Sequence, residues 1–183
     1  AGEVLALSLK DGARRWAFKA GAGIAAAPAV ADGRIFVGDL SGVFRAIDAA
    51  DGQAAWSMRA EDKIISSAVP VGDAVVFGSY DRTLYCLARK DGATRWKYKA
   101  EAQIHATPVV QDGLVLTGGC DAAVRAIAIA TGEERWQTPL GDPVAASPLA
   151  AGRRVLAATL SGRVVGLDAA SGGLLWDTGE RYK

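Results

Sequence analysis

The sequence predicts an all-β fold, a stack of four-stranded antiparallel sheets repeating every 40 residues. Three observations carry this prediction. Tryptophan recurs at Trp16, Trp56, Trp96, Trp136 and Trp176, each 40 residues after the last. Glycine keeps the same beat four residues earlier, at Gly12, Gly52, Gly92, Gly132 and Gly172. Between these marks, short apolar runs alternate with turn dipeptides. A fixed period of about 40 residues marks a tandem array of one supersecondary unit, in which each unit buries its apolar face against its neighbours.

Each unit holds four such runs. The first lies in IAAAPAVA (24–31), IISSAVPV (64–71), IHATPVVQ (104–111) and VAASPLAA (144–151). The other three lie in RIFVGDLSGVFRAIDAADGQAAW (34–56), AVVFGSYDRTLYCLARKDGATRW (74–96), LVLTGGCDAAVRAIAIATGEERW (114–136) and RVLAATLSGRVVGLDAASGGLLW (154–176). Runs of about 5 residues rich in Val, Ile, Leu, Phe and Tyr, bounded by turns, read as strands. The first turn is Asp32-Gly33, Gly72-Asp73, Asp112-Gly113 or Gly152-Arg153. The second is Ser41-Gly42, Asp81-Arg82, Asp121-Ala122 or Ser161-Gly162. Gly and Asp suit these places because they tolerate the positive φ of tight hairpins. No window of about 11 residues keeps a helical period without a glycine turn inside it, so almost no helix is expected. Four antiparallel strands per unit is the pattern of a β-propeller blade.

The first residues set the phase. VLALSL (4–9) matches the third strand of a blade and RRWAFK (14–19) the fourth. The expectation is a single propeller array over residues 1–183, with an outer half-blade at 1–20 and full blades at about 21–60, 61–100, 101–140 and 141–180. The half-blade lacks its first two strands, and DTGERYK after Trp176 offers none to complete it. Unpaired edges invite aggregation. The array is therefore expected to belong to a larger ring, completed either by a longer chain or by another one.

Segments AIDAADGQAAW (46–56) and GLDAASGGLLW (166–176) resemble the tryptophan-docking motif of the quinoprotein-type (PQQ-like) propeller family, roughly Ala-x-Asp-x-x-Thr-Gly-x-x-x-Trp. The resemblance runs the length of the chain. It implies that the five Trp pack between neighbouring blades and that the five Gly allow the tight turn ahead of them. The Asp column reads Ser8, Asp48, Ala88, Ala128 and Asp168, so that carboxylate is missing from three units. The Thr column reads Asp11, Asp51, Asp91, Thr131 and Ser171, all able to cap a turn through a side-chain oxygen.

That family holds dehydrogenases carrying pyrroloquinoline quinone and calcium. It also holds non-catalytic members, among them the propeller lipoprotein of the outer-membrane barrel assembly machinery and luminal sensor domains. Fold alone does not choose between them. A dehydrogenase site of this family implies a calcium held by Glu, Asn and Asp, often beside a disulfide between adjacent cysteines. This chain has no Asn, and its two cysteines, Cys86 and Cys120, are far apart in sequence. A Ca²⁺ site needs about 6 to 8 oxygen ligands, and no acidic cluster at loop spacing is present. No haem-attachment motif, phosphate loop or paired-cysteine zinc spacing occurs. The reading therefore assigns no catalytic residue, cofactor or metal.

Single residues matter where they break the repeat. His105, the only histidine, falls in a column with Ala25, Ile65 and Ala145, in the expected first strand. It is a candidate base or ligand near the central channel, or a histidine wedged between blades with both nitrogens satisfied. Cys86 stands in a column of small residues, Ala6, Ala46, Ala126 and Gly166, which a buried thiol fits. Cys120 takes the hairpin place of Leu40, Tyr80 and Leu160. A disulfide between the two cysteines would have to join columns at different heights of adjacent blades. The second-to-third-strand hairpins differ most among units, and variable loops on a repeated scaffold are where binding is built. Ser79, Tyr80, Asp81, Arg82, Cys120 and Asp121 are the candidate binding-loop residues, with an ordinary solvated hairpin as the alternative.

Composition bounds the function. Half the residues are hydrophobic and 22% are charged, as in a packed protein. The net charge is +1, and Lys19, Arg59, Lys97 and Lys99 make only a thin basic band, which argues against nucleic acid. No apolar run of about 18 residues is present, so no transmembrane segment is expected, and with AGEVLALSLKDG reading as strand from Ala1 no signal peptide is expected within these residues. The family resemblance implies a periplasmic or otherwise extracytoplasmic setting. The expected function is a rigid, non-catalytic scaffold for other protein chains within a larger envelope assembly. The alternative is a PQQ- and calcium-dependent alcohol or sugar dehydrogenase whose catalytic blades lie outside these residues. Trp16, at the broken edge, is expected to matter less to stability than an interior docking tryptophan.

Overall fold

The computed structural model describes residues 2–144 and 146–179, so Ala145 of the histidine column and residues 180–183 of the final segment lie outside it. The described residues form eighteen strands and no helix. Strands β1 (Glu3–Leu7) and β2 (Arg14–Lys19) pair as a two-stranded sheet. Four sheets of four strands follow. The first is β3 (Ala29–Ala31), β4 (Arg34–Gly38), β5 (Val43–Asp48) and β6 (Ala54–Arg59). The second is β7 (Val69–Val71), β8 (Ala74–Gly78), β9 (Thr83–Ala88) and β10 (Thr94–Lys99). The third is β11 (Val109–Gln111), β12 (Leu114–Gly118), β13 (Ala123–Ala128) and β14 (Glu134–Pro139). The fourth is β15 (Leu149–Ala151), β16 (Arg154–Ala158), β17 (Val164–Asp168) and β18 (Leu174–Asp177). Every sheet is an antiparallel meander in chain order, which is the topology of a propeller blade.

The turn chemistry matches the sequence. Asp32 and Gly33 both have positive φ, as do Asp112 and Gly113, the requirement of a two-residue type I′ hairpin. The outer hairpin of each sheet carries a register shift, falling for instance between Ala46 and Ile47 and between Ala126 and Ile127. Just before the shift, a small residue faces each tryptophan across the strands: Ala6–Trp16, Ala46–Trp56, Cys86–Trp96, Ala126–Trp136 and Gly166–Trp176. The indole fills the space that a larger partner would need. This explains the small-residue column and places Cys86 in it as a fully buried thiol.

The innermost strands are shorter than the apolar runs that predicted them. Only the last three residues of each run are in strand. The residues before them do other work. Ile64, Ile104 and Val144 are fully buried against Gly38, Gly78 and Gly118 of the preceding sheet. Next in line, a hydroxyl at one position caps a backbone amide one period back. Ala27 N–H donates to Ser67 Oγ at 3.1 Å, Ser67 N–H to Thr107 Oγ1 at 3.1 Å, and Thr107 N–H to Ser147 Oγ at 2.9 Å. This ladder ties the inner edges of successive blades together.

The core lies between sheets rather than within one globule. Val4, Trp16 and Phe18 of the first hairpin pack on Ile35, Val37 and Ile47. Phe36 and Phe44 pack on Val75, Phe77 and Tyr85 of the next sheet, with Phe44 and Phe77 stacked 3.9 Å apart. Val76, Leu84 and Cys86 meet Val115 and Ile127. Leu116, Val124 and Trp136 meet Val155, Val165 and Leu167. Strands β8 and β9 are buried on both faces, so alternation is lost there and the run reads as continuously apolar.

Candidate functional site

The docking residues form one repeated device. Trp16 Nε1–H donates to the Ala49 carbonyl at 3.0 Å, Trp56 to Arg89 at 3.0 Å, Trp96 to Ile129 at 2.8 Å and Trp136 to Ala169 at 3.1 Å. Each bond crosses to the next blade, 33 residues on. The ring lies on the next blade's glycine: a Cβ at Gly52 would stand 2.7 Å from the Trp16 indole. The same holds for Gly92 on Trp56, Gly132 on Trp96 and Gly172 on Trp136. Each of these glycines also has φ near +75°, so it serves both the turn and the neighbour's ring. Gly12 has the same φ but nothing within 4 Å.

Docking is therefore directional, and this reverses the expectation for the edge. Trp16 reaches forward onto a complete blade. Among the described residues Trp176 meets no receiving blade, and it is 40% exposed.

The turn ahead of each tryptophan is capped as the Thr column predicts. Asp11, Asp51, Asp91, Thr131 and Ser171 each accept from the backbone N–H two residues on. Asp48 and Asp168 accept from Ala50 and Ala170. Ser8 replaces that carboxylate with its hydroxyl, accepting from Lys10 N–H at 3.3 Å.

The two ends of each blade differ. One carries the hairpins between second and third strands, together with the connections from fourth strand to the next first strand. There the backbone N–H of the hairpin residue bonds the connection in every unit: Leu40 to Gly23, Tyr80 to Lys63, Cys120 to Gln103 and Leu160 to Pro143. These four side chains share one position at the tips. Leu40 is 46% and Leu160 69% exposed. Tyr80 is half-buried under the Lys63 ammonium, 4.2 Å from its ring. Cys120 is exposed.

The other candidate loop residues divide. Arg82 is exposed, with a positive φ of 69°. Ser79 and Asp81, candidate binding-loop residues, are buried rather than exposed at the tip. Asp81 accepts from Tyr85 Oη–H at 2.6 Å, from Thr83 N–H at 2.8 Å and from Glu61 N–H at 3.1 Å. Burial pushes its carboxyl up, but these hydrogen bonds outweigh it and hold the group below the ordinary carboxylate value. Burial and the Asp81 charge push the Tyr85 phenol well above its ordinary value. Asp121 is likewise turned inward, to Arg125 at 2.6 Å. Arg125 is fully buried beneath the Tyr98 ring, 5.8 Å from its centroid. In the first blade, Asp39 and Arg45 make the corresponding pair. The hairpins are thus braced from inside by polar pairs whose partners sit on the third strand. The partner residues drew no notice in the sequence, because Arg45, Tyr85 and Arg125 look like outward positions in an alternating strand.

His105 does not lie in the first strand. It precedes β11, in the connection pinned to the hairpin, and its Nδ1 is 3.5 Å from Cys120 Sγ. Cys86 and Cys120 are both free thiols. Burial pushes the Cys86 thiol up to about 11. At the opposite end of the blades, grooves open between sheets. One of about 530 Å³ is lined by Gln111, Asp112, Leu114, Arg135 and Arg153. Its counterpart two blades earlier, about 300 Å³, is lined by Asp32, Arg34, Asp73 and Arg89. Among the described residues no three His, Cys, Asp or Glu side chains gather into a metal-binding group. No helix among them is long and apolar enough to cross a membrane.

Four-stranded meanders joined by indole-on-glycine docking define the class: a PQQ-like repeat β-propeller. More narrowly, the chain belongs to the family described as outer membrane protein assembly factor BamB, whose model matches residues 1–78 and 57–179. The fold is similar to that of BamB from Moraxella catarrhalis, with a TM-score of 0.76 and 22% identity over 96% of this chain and 67% of that one. It is also similar to the computationally designed Ika8 protein, with a TM-score of 0.72 and 19% identity over 82% of this chain. The match spans 47% of the Ika8 chain. No curated protein matches the sequence.

Proposed function

We propose that this chain is a rigid protein-binding scaffold, without catalytic activity of its own, in an extracytoplasmic assembly of the cell envelope. Membership of a family described as an outer membrane assembly factor supports the setting and the class. The observation that carries the binding reading is the column of hairpin tips. Leu40, Tyr80, Cys120 and Leu160 stand at one equivalent position in four successive blades, each anchored by the same backbone hydrogen bond. Two of them are large apolar side chains left open to solvent. A pre-anchored row of apolar tips loses little entropy on binding. Charged neighbours such as Arg82 and Lys63 would form its polar rim.

The free edges belong to the same reading. The first sheet has two strands, and Leu5 and Leu7 on it are about half exposed. At the other end no docking glycine among the described residues lies on Trp176. We infer that further strands, from a longer chain or from a second chain, cover both edges and complete a ring.

The test is site-specific photocrosslinking from position 40 or 160 in the source cells, followed by fractionation. A defined polypeptide crosslinked from these tips in the periplasmic fraction, and lost in a Leu160→Asp variant that melts normally, supports the proposal. Dye-linked oxidation of an alcohol or sugar that requires added quinone and Ca²⁺ would overturn it in favour of the dehydrogenase reading. Native mass spectrometry of the protein from its source decides whether one chain or two complete the ring.

A further inference from the structure

The third blade carries a pair of side chains that no other blade repeats. Where the first blade has Ala25 and Leu40 and the second has Ile65 and Tyr80, the third has His105 and Cys120. The hairpin bond from Cys120 N–H to the Gln103 carbonyl, 3.1 Å, fixes the thiol beside the connection that holds the imidazole. Cys120 Sγ and His105 Nδ1 stand 3.5 Å apart at the exposed end of the blade.

That separation has a second meaning besides a thiol-to-imidazole hydrogen bond. Zinc binds thiolate sulfur at about 2.3 Å and imidazole nitrogen at about 2.0–2.1 Å, and a tetrahedral angle between them sets sulfur and nitrogen about 3.6 Å apart. The observed 3.5 Å separation matches that bite distance. Thiolate with imidazole is a donor set for zinc and similar borderline cations rather than for calcium or magnesium, which take oxygen.

We propose that Cys120 and His105 form a two-ligand site for a borderline divalent cation of the zinc type. The cation takes the place of the proton shared between sulfur and nitrogen. The thiol S–H bond breaks, its proton leaves to solvent, the sulfur lone pair forms the metal bond, and neutral His105 donates through Nδ1. Among the described residues no third His, Cys, Asp or Glu joins the pair. Water completes the coordination sphere, which leaves the ion open on the face that carries the hairpin tips. The site stands on this pair alone and does not depend on the scaffold reading.

Cobalt(II) is the probe. Titrated into the reduced protein, it produces a near-ultraviolet sulfur-to-cobalt charge-transfer band saturating at one ion per chain, and zinc abolishes the band. Zinc binding at constant pH releases about one proton per chain. His105→Ala and Cys120→Leu install the residue types that the first blade already holds at these places, so both variants keep the fold, checked by circular dichroism and melting. Each weakens cobalt binding about tenfold or more, and Cys120→Leu removes the band. Absence of the band in the wild type overturns the proposal. So does cobalt affinity unchanged in His105→Ala, which would show a thiol binding alone.

Discussion

Gly52 lies under the indole of Trp16, which belongs to the blade before it, and Trp16 Nε1–H bonds the Ala49 carbonyl three residues upstream of that glycine. A tryptophan and the glycine 36 residues after it are therefore one structural unit, although the sequence pairs each tryptophan by eye with the glycine just ahead of it. Among the described residues four of the five tryptophans complete this unit, and Trp176 does not.

Replacing a docked tryptophan should cost far more than replacing the undocked one. Trp96→Ala removes a large ring packed on Gly132 and an interblade hydrogen bond, and should destabilise by about 3–5 kcal/mol. Trp16→Ala should fall in the same range, because Trp16 is docked. Trp176→Ala should cost less than about 2 kcal/mol, since much of its surface is already in water. Denaturant melts of the three variants check the order, and a Trp176 cost equal to that of Trp96 would mean that the edge is covered in solution.

Alanine at the docking glycines should separate turn strain from ring collision. Gly12 and Gly52 share positive φ, so each substitution incurs the left-handed penalty of about 1–2 kcal/mol. Only at Gly52 does the new methyl meet an indole. Gly52→Ala should therefore cost about 1–3 kcal/mol more than Gly12→Ala, the usual range for overpacking. Equal melting temperatures for the two variants would show that the indole moves aside freely.

Ala122 stands at φ 59° in a hairpin where Gly42 and Gly162 occupy the equivalent place. The alanine pays a left-handed penalty that glycine does not. Ala122→Gly should raise stability by up to about 1 kcal/mol, the gain from relieved strain being reduced by the larger unfolded-state entropy of glycine. A loss of stability in thermal unfolding would contradict the strained reading.

Acid should loosen the second blade through Asp81. Its carboxyl is held below the ordinary value in the folded protein. Such a group stabilises the native state above its unfolded pKa, about 3.9, and that contribution is lost as pH falls through the folded value. The melting temperature should thus drop as the pH falls through and below the ordinary carboxylate range. Asp81→Asn should lower stability at neutral pH by about 1–3 kcal/mol, because the buried donors on Tyr85 and Thr83 and the Glu61 N–H lose a charged acceptor. It should also flatten the acid slope. An unchanged slope would place the titration elsewhere.

The 40-residue beat made the four-stranded unit, its strand order and the tryptophan column legible, because each unit repeats the same turn and the same ring at the same place. The five turn-capping side chains were legible for the same reason: they act on a backbone amide two residues away. Other features were not. The Ser67–Thr107–Ser147 ladder joins residues one full period apart, and nothing local distinguishes those hydroxyls from exposed ones. Asp81 and Asp121 read as candidate binding-loop residues or as part of an ordinary solvated hairpin, and only the third strand brings Tyr85 and Arg125 to them. The apolar runs also overstated the inner strands, since residues such as Ile104 are apolar because they fill the preceding blade, not because they lie in a sheet.

The sequence by itself determined the unit: its length, its four strands, its turns and the ring that ends it. These depend on local backbone preference and on period, which a single chain displays directly. The tertiary structure decided which way each tryptophan docks, which polar residues face inward, and that His105 meets Cys120. Those outcomes depend on stacking one sheet on the next. That stacking brings together residues that are 15 to 40 positions apart, and no local pattern encodes the contact.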